Sequence, residues 1–287
     1  MPVVVRFAFL FYCVLQLNTS MAAQEVSHYK TPLDAAEWLF SGDAFGCKVS
    51  HRVAGFGQMQ LLALPGQPLA FRLVADWLPL DDKRITARTV APAWHDSRSG
   101  LVTSMSAQAY IATESQHAEQ FLEALERGNA WQLIVFQAEI PLYQIDSSPL
   151  ATQAAANALR QCRRNLLPQP FSYVRQREFR FPQGSDELDE QALKDIRAIG
   201  AYVLADKGVS QVLVDGHTDS SGDHLVNLML SKQRSDEIAA RLIELGVSRD
   251  KIQVRSHGAR YPKASNATES GRLANRRVSV RLVKEVQ

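Results

Sequence analysis

The stretch VDGHTDSSGDHLVNLMLSKQR, from Val214 to Arg234, decides the fold of the second half of the chain. Its first residues alternate between apolar and polar side chains, as a half-buried strand does, and the strand is predicted to end at Gly216 in a turn. A helix is predicted to follow and to end before Gly246. Its apolar residues at helical spacing are Val226, Leu230, Ile238, Leu242 and Leu245. The stretch therefore predicts a strand, a turn and an amphipathic helix.

An arginine interrupts the apolar stripe of this helix. Arg234 is four residues from both Leu230 and Ile238, so its guanidinium is directed toward the apolar side, where an unpaired charge is costly. Asp219 lies fifteen residues before it, at the end of the predicted strand, and Asn227 lies two helical turns before it on the same face. An acid and an arginine placed in this way can hold a zwitterion. The alternative is a structural salt bridge between Asp219 and Arg234.

Length and charge limit the function classes. The chain has 287 residues, 46% of them hydrophobic, which fits two domains with buried cores. Its net charge is +2, so nucleic acid is not an expected partner. A basic cluster near the C-terminus is interpreted as a solvated strand face. It consists of Arg272, Arg276, Arg277 and Arg281.

The N-terminus has the pattern of a secretory signal peptide over residues 1–23. A positive charge at Arg6 precedes an apolar stretch, which is followed by small residues, and the stretch is too short for the ~20 residues that span a bilayer. We therefore expect export without a membrane span. Cys13 lies inside the apolar stretch without the small residues of a lipidation site, so it is expected to be removed with the signal.

Two cysteines then remain, Cys47 and Cys162. An even number in an exported protein predicts a disulfide, and only one pairing exists. Two buried free thiols are the alternative.

Residues 24–168 are predicted to form a mostly β domain, a sandwich or a partly closed barrel. The predicted strands lie in 49–53, 59–64, 71–77, 84–90, 101–111 and 131–140. One helix is expected over His117–Arg127. A second is expected to be capped by Ser147 or Ser148. Its predicted inner face consists of Leu150, Ala154, Ala158, Cys162 and Leu166.

After Pro168 and Pro170 the pattern changes to alternating strands and helices. Residues 169–287 are predicted to form a β-α-β-α-β-β domain, with Ser185 as the cap of its first helix. The fold class expected for the whole chain is α+β.

Four motifs in this second domain resemble the OmpA-like C-terminal domain. They are GHTDSSG (216–222), N-x-x-L-S-x-x-R (227–234), the glycine at Gly258 and G-R-x-x-N-R-R-V (271–278). The resemblance implies non-covalent binding of peptidoglycan, with Asp219 and Arg234 receiving the amine and the carboxylate of diaminopimelate. Weaker ligand candidates are Asn227, Thr218 and Arg276. No cofactor is implied.

A hydrolytic metal site is the enzymatic alternative. His217, Asp219, His224 and His257 are ligand types that suit zinc, but they lack a fixed-spacing metal motif. No nucleophile-elbow or phosphate-loop signature is found in the sequence. We therefore expect no metal and no enzymatic activity.

The first domain resembles the MotY family of flagellar motor proteins. The matching segments are PLDAAEW (32–38), SGDAFGC (41–47), SHRVAGFG (50–57) and APAW (91–94). The resemblance implies a periplasmic ring (T ring) around the basal body, a MotX-like partner and a role in placing stator units. A general envelope protein that tethers the outer envelope to the cell wall, unrelated to motility, is the alternative.

Overall fold

The computed structural model describes residues 25–92 and 100–285. The predicted signal peptide, including Cys13, lies outside the described residues, as do Ala93 and Trp94 of the last MotY-like segment.

In the described residues of the first domain, ten strands form one continuous curled sheet, in the order β1-β10-β9-β6-β7-β8-β5-β4-β3-β2. Neighbouring strands are antiparallel, except that β1 is parallel to β10. The strands are β1 (Ser27–Lys30), β2 (Trp38–Asp43), β3 (Gly46–Val53), β4 (Gly57–Ala63), β5 (Ala70–Ala75), β6 (Arg84–Val90), β7 (Val102–Gln108), β8 (Ile111–Glu114), β9 (Ala130–Gln137) and β10 (Ile140–Asp146). The mostly β prediction is confirmed, although β1, β2, β8 and β10 were not anticipated.

The core of this domain is built around Trp131. Its indole is fully buried and donates a hydrogen bond to the Phe121 carbonyl at 3.0 Å. Trp38 and Phe71 contact it edge-on, with ring centroids 4.8 and 4.7 Å away. Phe121 comes from helix α1 (Ala118–Glu126), which coincides with the predicted helix to within one residue at each end. Strands and helix therefore share one apolar interior.

Helix α2 (Thr152–Arg164) closes the first domain, and the disulfide joins it to β3. The Cys47 and Cys162 sulfur atoms are 1.99 Å apart and the Cα atoms 6.1 Å apart, so the predicted pairing is confirmed. The predicted inner face of α2 is correct only at its C-terminal end, where Cys162 and Leu166 pack against the core. The buried residues of the helix are Thr152, Ala155, Ala156 and Leu159, so Leu150, Ala154 and Ala158 were wrongly placed. The run of alanines gives several faces nearly equal hydrophobicity, so periodicity could not choose among them.

The second domain has a four-stranded sheet in the order β11-β14-β12-β13. Its elements are α3 (Phe171–Val174), β11 (Gln176–Arg180), α4 (Glu190–Ala205), β12 (Val209–His217), α5 (His224–Glu244), β13 (Ile252–Ser256), α6 (Glu269–Asn275) and β14 (Arg277–Lys284). The predicted β-α-β-α-β-β order is confirmed, with α3 and α6 as additional short helices. Strand β14 lies antiparallel between β11 and β12, whereas β12 and β13 are parallel.

The predicted cap of α4 is wrong. Asp189 caps the helix by accepting a hydrogen bond from the Ala192 amide at 2.7 Å. Ser185 lies four residues earlier, in the loop from Pro182 to Asp189, and its carbonyl accepts a hydrogen bond from Arg234. Aspartate caps a helix as well as serine does, and the start of the packed helix at Glu190 makes Asp189 the cap.

Helix α5 buries a face different from the predicted apolar stripe. Ile238 and Leu242 are buried as expected, but Val226 is 60% exposed and Leu245 is 36% exposed. The buried face consists of Asn227, Ser231, Arg234, Ser235, Ile238, Ala239 and Leu242. Its first half is therefore polar. Small residues allow this half to lie close to β12, because a Cβ on Gly216 would meet the Ser231 carbonyl oxygen at 2.3 Å.

Among the residues that the structure describes, no helix is long and apolar enough to cross a membrane.

Candidate functional site

The turn after β12 is held by its own side chains and by α5. Asp219 accepts a hydrogen bond from the Ser221 amide at 2.9 Å, and Asn227 donates its side-chain amide to the Ser221 carbonyl at 2.8 Å. The Thr218 amide donates to the Gly258 carbonyl at 2.9 Å. Thr218 and Asp219 are 3% and 5% exposed. The turn therefore presents both side chains from a fixed backbone.

Arg234 projects from α5 beneath the loop between β11 and α4. Its Nε donates to the Ser185 carbonyl at 2.8 Å and its Nη2 to the Pro182 carbonyl at 3.0 Å. The guanidinium also lies over the Phe181 ring, 4.9 Å from its centroid. These contacts hold the Arg234 guanidinium in one orientation without a carboxylate partner.

The remaining amino group of Arg234 has no partner among the described residues. Its Nη1 is buried and makes no hydrogen bond with any described residue, and the whole side chain is inaccessible to solvent. Burial, followed by repulsion from Arg276, lowers the pKa of Arg234 to about 10, with Asp219 acting in the opposite direction. The group therefore keeps its positive charge at neutral pH. A buried donor of this kind is costly to leave unpaired and suits an anionic ligand.

Arg276 is the direct partner of Asp219. Its Nη1 donates to Asp219 Oδ2 at 2.9 Å, its Nη2 to Glu269 Oε1 at 2.8 Å and its Nε to the Phe181 carbonyl at 3.3 Å. Burial opposes ionisation of Asp219, but the Ser221 amide and the Arg276 guanidinium together lower the pKa of this carboxyl group. Asp219 is therefore an anion at neutral pH.

The structure brings all five predicted ligand candidates to one end of the second sheet. Arg234 and Thr218 have buried polar atoms without a hydrogen-bond partner among the described residues, Nη1 and Oγ1 respectively. The alternative salt bridge between Asp219 and Arg234 is not formed in the described part of the chain, where Asp219 pairs with Arg276 instead. Asn227 supports the turn.

Sequence reasoning missed several groups at this site. Glu269 was not anticipated, although it occupies the first turn of α6 just after the capping residue Thr268. The carbonyls of Pro182 and Ser185 were missed because a carbonyl has no sequence signature.

The histidines considered above as zinc ligands make other contacts. His217 stacks on His257, with ring centroids 4.8 Å apart, and His257 Nε2 lies 3.0 Å from Asp215 Oδ1. Within residues 25–92 and 100–285, no group of three His, Cys, Asp or Glu side chains is arranged to hold a metal ion.

Comparison with known proteins gives a family for each domain. Residues 29–168 match the MotY N-terminal domain family, and residues 180–276 match the OmpA family. The chain is 24% identical over 272 residues to the sodium-type flagellar protein MotY of Vibrio parahaemolyticus, an alignment that covers 92% of each chain.

A curated protein and a solved structure are each similar to part of the chain. The probable lipoprotein YiaD of Escherichia coli is 43% identical over 82 residues, which are 29% of this chain and 37% of YiaD. The C-terminal domain of Helicobacter pylori MotB has a TM-score of 0.36 and 24% identity, covering 38% of this chain and 86% of that domain. On the two family matches, residues 29–168 form a MotY N-terminal domain and residues 180–276 an OmpA-family domain.

Proposed function

We propose that this protein is a periplasmic component of a flagellar motor that anchors to peptidoglycan through its second domain. The observation that carries the anchoring role is the buried Arg234, whose Nη1 has no partner in the described residues, at the same end of the sheet as the ionised Asp219. The motor role is supported by the MotY N-terminal domain and by the similarity to a flagellar MotY along 92% of the chain.

The proposed ligand is the diaminopimelate of the peptidoglycan stem peptide. Its carboxylate would accept hydrogen bonds from Arg234, which the Pro182 and Ser185 carbonyls hold in place. Its ammonium would donate to Asp219, whose two oxygens each have one partner and retain further acceptor capacity. Thr218 Oγ1 offers an additional buried polar group. This is recognition without bond formation, and the two matching families are families of motor and peptidoglycan-binding proteins, not of enzymes.

The binding role is tested by pelleting the purified protein with insoluble sacculi. Asp219→Asn removes the negative charge, and Arg234→Lys keeps the positive charge but removes the guanidinium fork. Each is expected to weaken binding by about tenfold or more, because hydrogen bonds to charged groups are lost. Arg241→Gln is the matched control on α5, since Arg241 is exposed and pairs only with Glu237 and Glu244 among the described residues. Circular dichroism verifies folding. Full binding by both folded variants would refute the assignment.

The first domain would contact the basal body, with a MotX-like protein as its partner, and the complex would help to place stator units in a ring. An anchored ring gives the stator a fixed point against which torque can act.

A deletion strain separates this function from that of a general envelope tether. We expect the strain to lose most of its swimming while its sensitivity to detergent stays normal, and a fluorescent fusion to mark the flagellated pole. Normal swimming together with detergent sensitivity would favour the tether and contradict the motor role.

A further inference from the structure

Arg276 lies between two carboxylates. Its Nη1 is 2.9 Å from Asp219 Oδ2, and its Nη2 is 2.8 Å from Glu269 Oε1. The side chains of Arg276 and Asp219 are 6% and 7% exposed, whereas that of Glu269 is 65% exposed. The triad of Asp219, Arg276 and Glu269 therefore runs from the buried site to the surface.

Arg276 is shared by two carboxylates, so it offsets only part of the charge of Asp219. Glu269 has a second cationic partner, Arg272, which lies at the surface and brings the four side chains to a net charge of zero. Without Glu269, Arg276 would pair with Asp219 alone and offset its charge fully. Since an ammonium ligand approaches Asp219, a guanidinium shared with Glu269 leaves Asp219 more of its negative charge at the buried end of the triad, where screening by water is weakest.

Glu269 is also held in place from its other side. Its Oε2 accepts from Arg272 Nη2 at 2.7 Å and from Nε at 3.1 Å, and Arg272 in turn donates to the Asn266 and Ala267 carbonyls. Both oxygens of an otherwise exposed carboxylate are thus committed to arginines of the same segment.

We propose that Glu269 is a positioning residue for the ammonium half of the ligand. It acts through Arg276, which it orients and partly neutralises, so that Asp219 keeps enough negative charge to attract an ammonium. The inference rests on the proposed binding of diaminopimelate, and Glu269 itself is not proposed to touch the ligand.

The test compares two small ligands by calorimetry on the full-length protein. Diaminopimelate carries carboxylates and ammonium groups, whereas pimelate has the same chain and carboxylates without the amines. Glu269→Gln is expected to weaken diaminopimelate binding by about two- to fivefold, the range for an exposed charge pair. Pimelate binding should stay unchanged or tighten, because a negative charge near the site has been removed. A purely structural role would weaken both ligands alike.

Two control variants complete the design. Glu269→Asp keeps the charge and is expected to bind diaminopimelate better than Glu269→Gln. Glu244→Gln removes a carboxylate from the last residue of α5, in contact with Arg241, and should leave both affinities at the wild-type level. Equal losses for both ligands in Glu269→Gln, or no loss for diaminopimelate, would overturn the role of Glu269 alone. Failure of the wild-type protein to bind diaminopimelate would overturn both this inference and the proposed ligand.

Discussion

At the scale of single residues, the site depends on charges placed where water cannot reach them. Arg234 is inaccessible to solvent, yet it has no carboxylate partner among the described residues and is held by two backbone carbonyls. Such a charge is costly unless a ligand pairs with it. The sequence predicted its inward direction correctly from its spacing to Ile238, since four-residue spacing fixes the side of a helix.

His217, two residues before Asp219, gives a pH prediction. Burial, followed by the nearby Arg277, lowers the pKa of His217 from 6.5 to about 4. The unfolded chain therefore binds a proton more readily than the folded one. The stability that the neutral ring contributes is fully present above pH 6.5 and is lost as the pH falls toward 4. The loss is up to roughly 3 kcal/mol for a shift of this size.

The free energy of unfolding of the second domain is measured by hydrogen exchange at increasing denaturant concentration. The measurement is repeated at several pH values between 7 and 4. His217→Asn should flatten the pH dependence in this range. The difference between wild type and variant isolates His217 from His51 of the first domain, whose pKa is also lowered by burial. Identical slopes for the two proteins would show that His217 does not titrate as described.

At the scale of elements, close packing of α5 on β12 positions the site. Gly216 leaves room for the Ser231 carbonyl, and Ser231 Oγ accepts a hydrogen bond from the Gly258 amide at 3.0 Å. This packing buries the polar first half of α5 and leaves Leu225, Val226 and Met229 exposed at 66%, 60% and 72%. Hydrophobic periodicity misassigned the face because polar side chains, not apolar ones, occupy the inner side at this point.

The disulfide joins two elements of the first domain, β3 and α2. The two cysteines are 115 residues apart in sequence. For a loop of about this length, the lost entropy of the unfolded chain predicts up to ~4.7 kcal/mol of stabilisation. The double variant Cys47→Ser/Cys162→Ser should therefore lower the denaturation midpoint of the first domain. Sacculus binding should be retained in folded protein, because the site lies wholly in the second domain. An unchanged midpoint would contradict the stabilising role.

At the scale of the whole molecule, the two domains meet at the turn between β2 and β3. The Phe45 ring contacts Tyr202 of α4 edge-on, with ring centroids 5.6 Å apart. The Ala44 carbonyl accepts a hydrogen bond at 2.9 Å from the amide of Leu167, whose side chain lies in the core of the second domain. One apolar core comprises residues between 47 and 159, and the other comprises residues between 167 and 282. The predicted boundary at residue 168 stays a prediction, but the contacts across it give the junction a defined geometry.

Phe45→Ala tests this junction. Removal of the ring should loosen the domains, because an aromatic pair contributes about 0.5–1.5 kcal/mol beyond its buried area. Faster proteolysis between residues 165 and 170 and a larger radius of gyration by small-angle scattering are expected, with unchanged sacculus binding. Leu39→Ala, on an exposed β2 residue outside the contact, is the control. Equal proteolysis of both variants would show that the ring does not hold the junction.

The sequence by itself determined the two families, the cysteine pairing, the order of strands and helices in the second domain and the inward direction of Arg234. These properties depend on local spacing, composition and motifs. Only the tertiary structure decided that Arg276 pairs with Asp219, that Glu269 shares this arginine and that two loop carbonyls hold Arg234. Asp219 and Arg276 are 57 residues apart in sequence. Their contact exists because β14 lies between β11 and β12, an arrangement set by the packing of the whole sheet, which periodicity along the chain does not encode.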